Sequence, residues 1–518
     1  MPFQLILHNS RSSRWLSACF TVLMSLTQAP PASAQSQPAP KYSADVPASI
    51  TTPDTVPTRI GTMKFSDGLP DAETVQKVYD QVDFGRGVEA FMAGMPAASV
   101  QALKEGFTRQ GFGPNQAIGI TESLADARQL FLTPNATTVY VWLCIDVKDG
   151  PMVLQVPPGV LGIIDDAFFR YVTDLGVPGP DKGKGGKYLV VPPGYKGKLP
   201  GKGEGYFVNN SRTYNHLVII RAFVKDGDVA GAIKAIKEHA RVYPLSAASN
   251  PPQQKFVNIS GKKFNTVHAN DFFFYEELNA VVQHEPADFI PPEQVGLFAA
   301  IGIKKGKPFQ PDARMKAILT DAAAVANAAS RSILFNPRDP RTKVFPDRQW
   351  LTPFVTASYE FADGAERTLD ARTMFHYYAT GVTPAMVAAN PGVGSAYAIA
   401  ARDSQGRYFD GSKTYKITLP AQVPAARFWS FTIYDNQTRS MLETDQASAG
   451  LDSTFPGVKT NADGTVTVWF SPTAPAGHEG NWVQTWPGKG WNTLFRLYGP
   501  LEPWFKRTWK PGDFELVP

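Results

Sequence analysis

The 518-residue chain is 43% hydrophobic and 19% charged, a composition that excludes an intrinsically disordered protein. Its length exceeds the roughly 250 to 300 residues at which a single core stops growing, which predicts more than one domain. The net charge of +5 is small for this length and argues against nucleic acid as the main partner.

Residues 1–34 have the pattern of an export signal. Two arginines precede an apolar run at 15–26, and a small-residue cleavage site, ASA, ends at residue 34. The run is shorter than the roughly 20 apolar residues that span a bilayer, which favours export, to the periplasm or the medium, over a membrane anchor. An ordinary hydrophobic helix and a lipoprotein, suggested by LSAC at 16–19, are the alternatives. No later segment predicts stable membrane insertion.

Cysteine usage is consistent with export. Removal of the signal leaves Cys144 alone, so the mature chain has no intramolecular disulfide, no thiolate zinc site and no CxxC pair. We expect Cys144 to be packed in an apolar strand. Removal of two arginines from the 51 basic residues leaves 49 against 46 acidic residues.

The mature chain alternates between helical and β patterns. Residues 35–70, rich in Pro, Ala, Ser and Thr at their start, predict an extended tether. Residues 71–129 predict a helical layer, because apolar positions recur three and four apart up to residue 110. At 130–227 the apolar period becomes two, as in TTVYVWLCIDV, and turn-separated runs predict an antiparallel sandwich or barrel.

The second half repeats this alternation. Residues 228–340 predict a helical segment, and residues 341–518 predict a second β-sandwich. The predicted helices lie at 227–243, 270–282 and 311–335, and the predicted strands at 414–420, 426–435, 464–470 and 492–499. We therefore predict an α+β fold with two antiparallel β-sandwiches and helical N-terminal and central segments.

Several chemistries are absent from the sequence. It has no Gly-x-Ser-x-Gly elbow, no HExxH and no P-loop, so we predict no cofactor. The six histidines beyond the signal have no two members at i, i+2 or i+4 spacing, and we predict no metal. A basic Gly-rich segment at 179–207 carries six lysines and predicts either a solvated hairpin or a cationic loop that closes on an anion.

Aromatic residues of the second β region are candidate ligand-binding residues, because indole and phenol rings offer stacking area at little entropic cost. Core packing is the alternative for each of them. Strand alternation places Trp429 on one face and Tyr434 on the other, and Trp469 opposite its apolar neighbours. The set is Trp429, Tyr434, Trp469, Trp482, Trp486 and Trp491.

The stretch NTLFRLYG places Leu494 and Arg496 on one strand face and Phe495 and Leu497 on the other. Arg496 therefore lies among core-forming residues and needs a carboxylate or carbonyl partner. We add it to the ligand-binding set. Trp504 and Trp509, in the closing EPWFKRTWKPG, are expected to seal the fold.

These motifs resemble two bacterial domains of unknown function, numbered twelve fifty-four and twelve fourteen. The first resemblance rests on TPNATTVYVW, VPPG, DKGKGGKYLVVPPGYKG and VIIRAFV. The second rests on DGSKTYKITLP, VPAARFWSFTIYD, TRSMLETD, NWVQTWPGKGW and FRLYGPLEPWF. Together they cover about 130–518. The resemblance implies an exported bacterial protein with jelly-roll-like sandwiches, and it supplies no reaction.

Two classes of function follow. One is a cofactor-independent hydrolase of an extracytoplasmic small molecule or glycan-like substrate, with carboxylates and a histidine as acid and base. Its candidate catalytic residues are His376, Asp435, Arg439, Glu443 and Asp445. The other is a non-catalytic protein that binds a ligand or the cell envelope through aromatic surfaces. Turnover separates the two classes.

Overall fold

The computed structural model describes residues 40–225, 227–387 and 390–518. The chain forms two compact units, one ending at Thr74 and the other spanning Val75–Pro518. The predicted export signal at 1–34 lies outside the described residues. None of the helices within these ranges is long and apolar enough to cross a membrane.

The first unit contains three short strands where the sequence predicted an extended tether. They are β1 (Thr55–Thr58), β2 (Gly61–Ser66) and β3 (Leu69–Pro70), paired antiparallel in that order. Asp67 and Gly68 both have positive φ, 49° and 79°, and form the tight turn between β2 and β3. Asp-Gly is a favoured pair for such a turn, a signal the tether prediction did not use.

Seven α-helices lie in the described residues. The predicted helices at 270–282 and 311–335 are confirmed, and the one predicted at 227–243 ends at His239, because residues 241–244 form a strand. Three further helices, near 295, 373 and 503, were not predicted. The helix near 373 is buried on almost every side, so it lacks the one-sided apolar stripe that marks a surface helix. The helices are α1 (Ala72–Arg109), α2 (Val229–His239), α3 (Phe273–His284), α4 (Pro292–Ala300), α5 (Ala313–Phe335), α6 (Leu369–Tyr378) and α7 (Glu502–Phe505).

Helix α1 is a single helix of 38 residues that continues through Pro96. Two of its glycines mark where other helices approach it. A Cβ at Gly87 would lie 2.8 Å from Ala322 of α5, and a Cβ at Gly94 would lie 2.8 Å from Leu278 of α3. Glycine therefore lets the three helices pack closely.

Two sheets form the β region that follows α1. A six-stranded sheet has the order β14-β4-β6-β12-β8-β9, and a four-stranded sheet has the order β11-β10-β7-β13. The strands are β4 (Ile118–Ile120), β5 (Gln129–Leu130), β6 (Thr138–Asp146), β7 (Met152–Val156), β8 (Leu161–Asp166), β9 (Tyr171–Gly176), β10 (Gly186–Val191), β11 (Tyr206–Asn210), β12 (Asn215–Phe223), β13 (Arg241–Pro244), β14 (Phe256–Asn258) and β15 (Phe264–Asn265).

The alternation in β6 separates two cores. Val139, Val141 and Leu143 pack into the apolar core that includes β7 and β10. Tyr140 and Trp142 face the other way, toward the larger core that includes the helices and the second β region. Both faces of the sheet are therefore covered, which explains why β6 is buried along nearly its whole length.

Two more four-stranded sheets form the second β region, with orders β18-β24-β20-β21 and β23-β22-β19-β25. They contact each other through aromatic rings: the Phe431 and Phe470 centroids are 5.7 Å apart, and those of Phe470 and Trp491 are 5.3 Å apart. The strands are β16 (Ala362–Asp363), β17 (Glu366–Arg367), β18 (Ser395–Ala400), β19 (Thr414–Leu419), β20 (Ala425–Asp435), β21 (Gly450–Asp452), β22 (Val466–Ser471), β23 (Trp482–Gln484), β24 (Trp491–Pro500) and β25 (Glu515–Val517).

The fold is therefore mixed α+β with several multi-stranded sheets, as the sequence predicted. All pairings in the six-stranded sheet and in the sheet of β18, β24, β20 and β21 are antiparallel, except that of β4 with β14. The pair β10–β11 is parallel, so the Lys-rich segment between these strands is a crossover and not the predicted hairpin.

Candidate functional site

A cavity lies between the six-stranded sheet of the first β region and the sheet of β18, β24 and β20 in the second. Its empty volume is about 1070 Å³, which includes space open to solvent. Helix α6 and the segment that follows it close one side, through Phe375, Tyr378 and Gly381. Clefts lined by apolar side chains and a few polar groups are common sites for small-molecule ligands.

Two rows of cross-strand neighbours form the first wall of the cavity. In one row, Arg221 on β12 lies between Tyr140 on β6 and Leu161 on β8. The parallel row is two residues further along the strands and ends in an acid. It consists of Trp142 on β6, Ile219 on β12, Ile163 on β8 and Asp174 on β9.

The opposite wall also presents an arginine, a tyrosine and aliphatic side chains, from two strands. On β24, Arg496 is the register partner of Tyr397 on β18, and Leu494 is the partner of Ile399. Each wall therefore presents one arginine beside a tyrosine, with aliphatic side chains in the neighbouring row. Side chains on one face of a sheet recur every second residue, which is why Leu494 and Arg496 both reach the cavity.

Arg496 is buried and bonded to neutral oxygens. Its guanidinium donates to Thr432 Oγ1 at 2.9 Å, to the Thr133 carbonyl at 2.9 Å and to Tyr434 Oη at 2.7 Å, and the Pro134 carbonyl lies at 3.5 Å. Burial acts to lower the pKa of Arg496, but the neighbouring tyrosines outweigh it and the pKa is raised. The guanidinium is therefore cationic at any ordinary pH. The predicted need of Arg496 for a carbonyl partner is confirmed.

Arg221 is partly buried and has fewer partners. Tyr397 of the second wall is among its neighbours. Burial acts to lower its pKa, and Tyr397, Tyr140 and Tyr498 raise it by a larger amount. Tyr140 and Tyr498 also act on Arg496, so the two guanidiniums share neighbours. No described carboxylate forms an ion pair with either guanidinium.

The rest of the lining is mostly apolar. It comes from both walls, from α6 and from the segments that precede and follow that helix. Its aliphatic and aromatic members include Trp142, Leu161, Ile163, Phe354, Phe375 and Met386. A cavity with a cationic region and an apolar remainder suits a ligand with an anionic head and an apolar body.

Acidic groups lie at the β9 side of the cavity. Asp174 lines it and accepts hydrogen bonds from Thr383 Oγ1 and, at 3.3 Å, from Tyr171 Oη. Just behind, Asp165 Oδ2 accepts from the Val382 amide at 2.8 Å, while its Oδ1 has no partner among the described residues. Burial raises the pKa of both carboxyls, most strongly that of Asp165. They hold the segment after α6 against the first wall.

The predicted proton-transfer residue His376 lies outside this lining. Its ring is buried in α6, stacks on Phe169 with centroids 5.8 Å apart, and packs edge-on against Phe361 and Phe375. Burial lowers the pKa of His376 far below its usual range, and the charge of Arg372 acts in the same direction. The structure therefore packs the ring among aromatic side chains and favours its neutral form.

The four other predicted catalytic residues have side-chain partners outside the cavity or are exposed. Asp435 is buried and pairs with Lys489, whose Nζ lies 2.8 Å from Oδ2. Arg439 stacks on Tyr377, with Cζ 3.9 Å from the ring centroid. Glu443 is exposed, and Asp445, also exposed, pairs with Gln484. None of the four lines the cavity.

Two predicted stacking residues are core residues, which corrects the prediction of display. Trp491 is fully buried and stacks on Phe409 with centroids 4.2 Å apart. Trp429 is buried against Phe431. Tyr434 is also buried, but its hydroxyl takes part in the hydrogen bonds around Arg496.

The remaining tryptophans divide between surface and core. Trp469 and Trp482 are register partners on β22 and β23 and are both partly exposed. Trp486 is 43% exposed. All three lie outside the cavity lining. Trp504 and Trp509 are buried, as predicted.

The structure places the six lysines of 179–207 away from the cavity. They are Lys182, Lys184, Lys187, Lys196, Lys198 and Lys202, and none belongs to the lining. Lys187 lies over the Tyr206 ring, with Nζ 5.5 Å from the centroid. The described residues contain no group of three or more His, Cys, Asp or Glu side chains that could hold a metal ion.

Arg221 and Asp174 were not predicted as site residues. The signal for Arg221 was present, because it interrupts the apolar strand NHLVIIRAFV in the same way that Arg496 interrupts NTLFRLYG. Asp174 had no comparable signal, since YVTDLG has polar residues at several positions.

Comparison with known proteins gives family and fold. No curated protein matches the chain significantly. The crystal structure of the VPA0106 protein from Vibrio parahaemolyticus has 17% identity and a TM-score of 0.51, covering 84% of this chain and all of that one, which shows a shared fold. An uncharacterised protein from Burkholderia cenocepacia has 13% identity and a TM-score of 0.39, over 85% of this chain and 96% of that chain.

Two families of proteins of unknown function match the sequence. Residues 114–244 match DUF1254, and residues 394–502 match DUF1214. Their order is the one that the sequence motifs predicted. The first match includes Tyr140, Arg221 and Asp174, and the second includes Tyr397 and Arg496, so the cavity is lined by residues of both. The chain is therefore similar to the first family in its first β region and to the second family in its second β region.

Proposed function

We propose that this protein binds a small organic anion between its two β regions, with the anionic head at Arg221 and Arg496 and an apolar body along the rest of the cavity. One observation carries the proposal. The two guanidiniums enter the same cavity from opposite walls, and no described carboxylate pairs with either.

The energetics favour a bound anion. Taking a charged group out of water costs several kcal/mol even after relaxation, and an opposite charge with good hydrogen-bond geometry offsets that cost. Arginine is suited to this role because its planar N–H groups match the two oxygens of a carboxylate. Neutral carbonyls and hydroxyls surround Arg496, so its positive charge is solvated but not neutralised.

Isothermal titration calorimetry with octanoate and with 1-octanol tests the proposal. The two probes share a chain and differ in charge. We expect octanoate to bind and octanol to bind much more weakly. Hydrogen bonds to charged groups contribute roughly 1.5–3 kcal/mol, so loss of one arginine should weaken octanoate binding about 10- to 150-fold.

Arg221→Met is the informative variant, because methionine keeps the length and the apolar stem of the side chain. Arg212→Met is the matched control, since Arg212 is exposed three residues before the start of β12 and loses the same charge. Equal octanoate affinity in the wild-type protein and Arg221→Met would refute the proposal. An equal loss of octanoate affinity in Arg212→Met would show that the effect of Arg221→Met is a general effect of net charge.

The cavity supports a ligand-binding role more directly than the predicted hydrolase. The carboxylates expected to catalyse hydrolysis, Asp435, Glu443 and Asp445, lie outside the lining, and His376 is packed among aromatic rings. Hydrolysis of a glycan-like substrate at these residues would need another surface. We therefore favour the binding protein of the two classes.

Two further proposals come from the sequence. Export, to the periplasm or the medium, is supported by the pattern at 1–34. A jelly-roll-like sandwich in the second domain is supported by the aromatic contact between Phe431 of β20 and Phe470 of β22, which belong to different sheets.

A further inference from the structure

The cavity has a second polar end, which the proposed anion site does not use. Asp174 lines the cavity from β9, whereas Arg221 lines it from β12. The order β12-β8-β9 puts these strands two positions apart in the sheet. Gly176 is the β9 residue in the row of Arg221 and Leu161, and Asp174 is two residues from it.

The sheet geometry sets a distance between the two ends. Neighbouring strands are about 4.8 Å apart and two residues along a strand span about 6.8 Å, so the Cα atoms of Arg221 and Asp174 are about 12 Å apart. The residues of the wall between them are Leu161, Ile163 and Ile219. A ligand that touches both ends therefore crosses an apolar stretch.

The surroundings of Asp174 favour a neutral partner. The side chain is almost fully buried, and its oxygens already accept hydrogen bonds from Thr383 and Tyr171. Burial raises the pKa of Asp174, which favours the protonated carboxyl. A protonated carboxyl can donate one hydrogen bond and accept others, so it suits a hydroxyl or carbonyl group better than a second charge.

We propose that the ligand is bipolar, with an anionic head at Arg221 and Arg496, an apolar linker, and a hydroxyl or other neutral hydrogen-bonding group at Asp174. This inference rests on the proposed function and adds to it the nature of the far end of the ligand. Asp174 is then a specificity-determining residue.

A homologous series of straight-chain carboxylates tests the inference by calorimetry. Each alkanoate from hexanoate to dodecanoate is compared with the ω-hydroxy acid and the ω-amino acid of the same length. We expect the ω-hydroxy acid to bind about 3- to 10-fold more tightly than the alkanoate at an intermediate length, the effect of one hydrogen bond. Shorter and longer members should show no gain.

Two variants assign the gain to Asp174. Asp174→Leu should remove the gain while alkanoate binding persists, and Asp174→Asn, which still offers a hydrogen-bonding amide, should retain it. Circular dichroism and urea unfolding show whether Asp174→Leu folds. If it does not fold, Thr383→Val is used instead. This variant removes the hydroxyl that holds Asp174 and should reduce the affinity advantage of the ω-hydroxy acid over the alkanoate.

The outcomes separate the two proposals. If alkanoates bind and depend on Arg221 but no ω-hydroxy acid binds more tightly, the bipolar ligand is refuted and the anion site stands. If the ω-amino acid binds more tightly than the ω-hydroxy acid, the neutral far end is refuted. If no alkanoate binds, the proposed function fails and this inference fails with it.

Discussion

The two walls of the cavity hold their arginines in different ways. Arg496, in the DUF1214 wall, donates to oxygens of Thr432, Thr133 and Tyr434. Arg221, in the DUF1254 wall, has tyrosines around it, one of which, Tyr397, belongs to the other wall. Arg496 therefore supports the fold as well as the ligand, whereas Arg221 is the more available of the two.

The contrast extends to the acids. The DUF1254 wall carries Asp174 in the lining and Asp165 behind it, and both bind the segment after α6. On the other wall, Asp435 at the end of β20 pairs with Lys489 outside the cavity. The first wall thus carries proposed ligand-binding residues and also holds the segment after α6. The second wall supplies a fixed positive charge.

Arg496→Met should have the largest effect on stability. The substitution leaves the Thr133 carbonyl and the hydroxyls of Thr432 and Tyr434 without their donor, and each buried group left unsatisfied costs about 1–3 kcal/mol. We expect the free energy of unfolding to fall by about 3–5 kcal/mol, measured by urea denaturation. A loss below about 0.5 kcal/mol, the range of a surface substitution, would contradict the contrast between the walls.

Arg221→Met should change the stability much less. We expect a loss of at most about 1 kcal/mol in the same urea experiment, because the side chain is partly exposed and no described carboxylate forms an ion pair with it. The variant should lose octanoate affinity as described above. A loss of stability as large as that of Arg496→Met would show that both arginines are structural.

The acids of the first wall make stability depend on pH. Burial raises the pKa of Asp165, and Asp166 and Asp174 act in the same direction. The folded protein therefore keeps a proton that the unfolded chain releases, so this contribution is fully present below the usual carboxyl pKa and is lost as pH rises toward the raised value. Asp165→Asn should reduce this decrease of stability with rising pH, measured as the urea midpoint at each pH. An unchanged decrease would contradict a raised pKa for Asp165.

Tyr397→Phe should have the smallest effect. It removes a hydroxyl near Arg221 but keeps the ring. We expect octanoate affinity to change by less than tenfold, because one neutral hydrogen bond contributes about 0.5–1.5 kcal/mol. An effect as large as that of Arg221→Met would place Tyr397 itself in contact with the anion.

The local pattern of β24 was predictable from the sequence. Alternation placed Leu494 and Arg496 together and opposite Phe495 and Leu497, and the structure confirms both faces. The same alternation, continued back from Phe495, puts Trp491 on the core face. Trp491 therefore packs in the core, which was the alternative for each aromatic candidate.

The assembly of the cavity was not predictable in this way. Its lining comes from segments near residues 140, 163, 220, 375, 397 and 495, and a single sequence gives no pairing between strands so far apart. The sequence indicated that Arg496 needed a partner, but not that Arg221 lies across from it. The roles of Asp165 and Asp174 could not be predicted either, because these residues contact the segment after α6 only in the folded chain.

A crystal structure of the protein with octanoate tests the central claim most directly. We predict that the carboxylate lies between the walls, with its oxygens within about 3 Å of guanidinium nitrogens of Arg221 and Arg496, and that the alkyl chain runs along Ile163 and Ile219. A carboxylate bound elsewhere, or two guanidiniums that point away from each other with octanoate absent at saturating concentration, would contradict it.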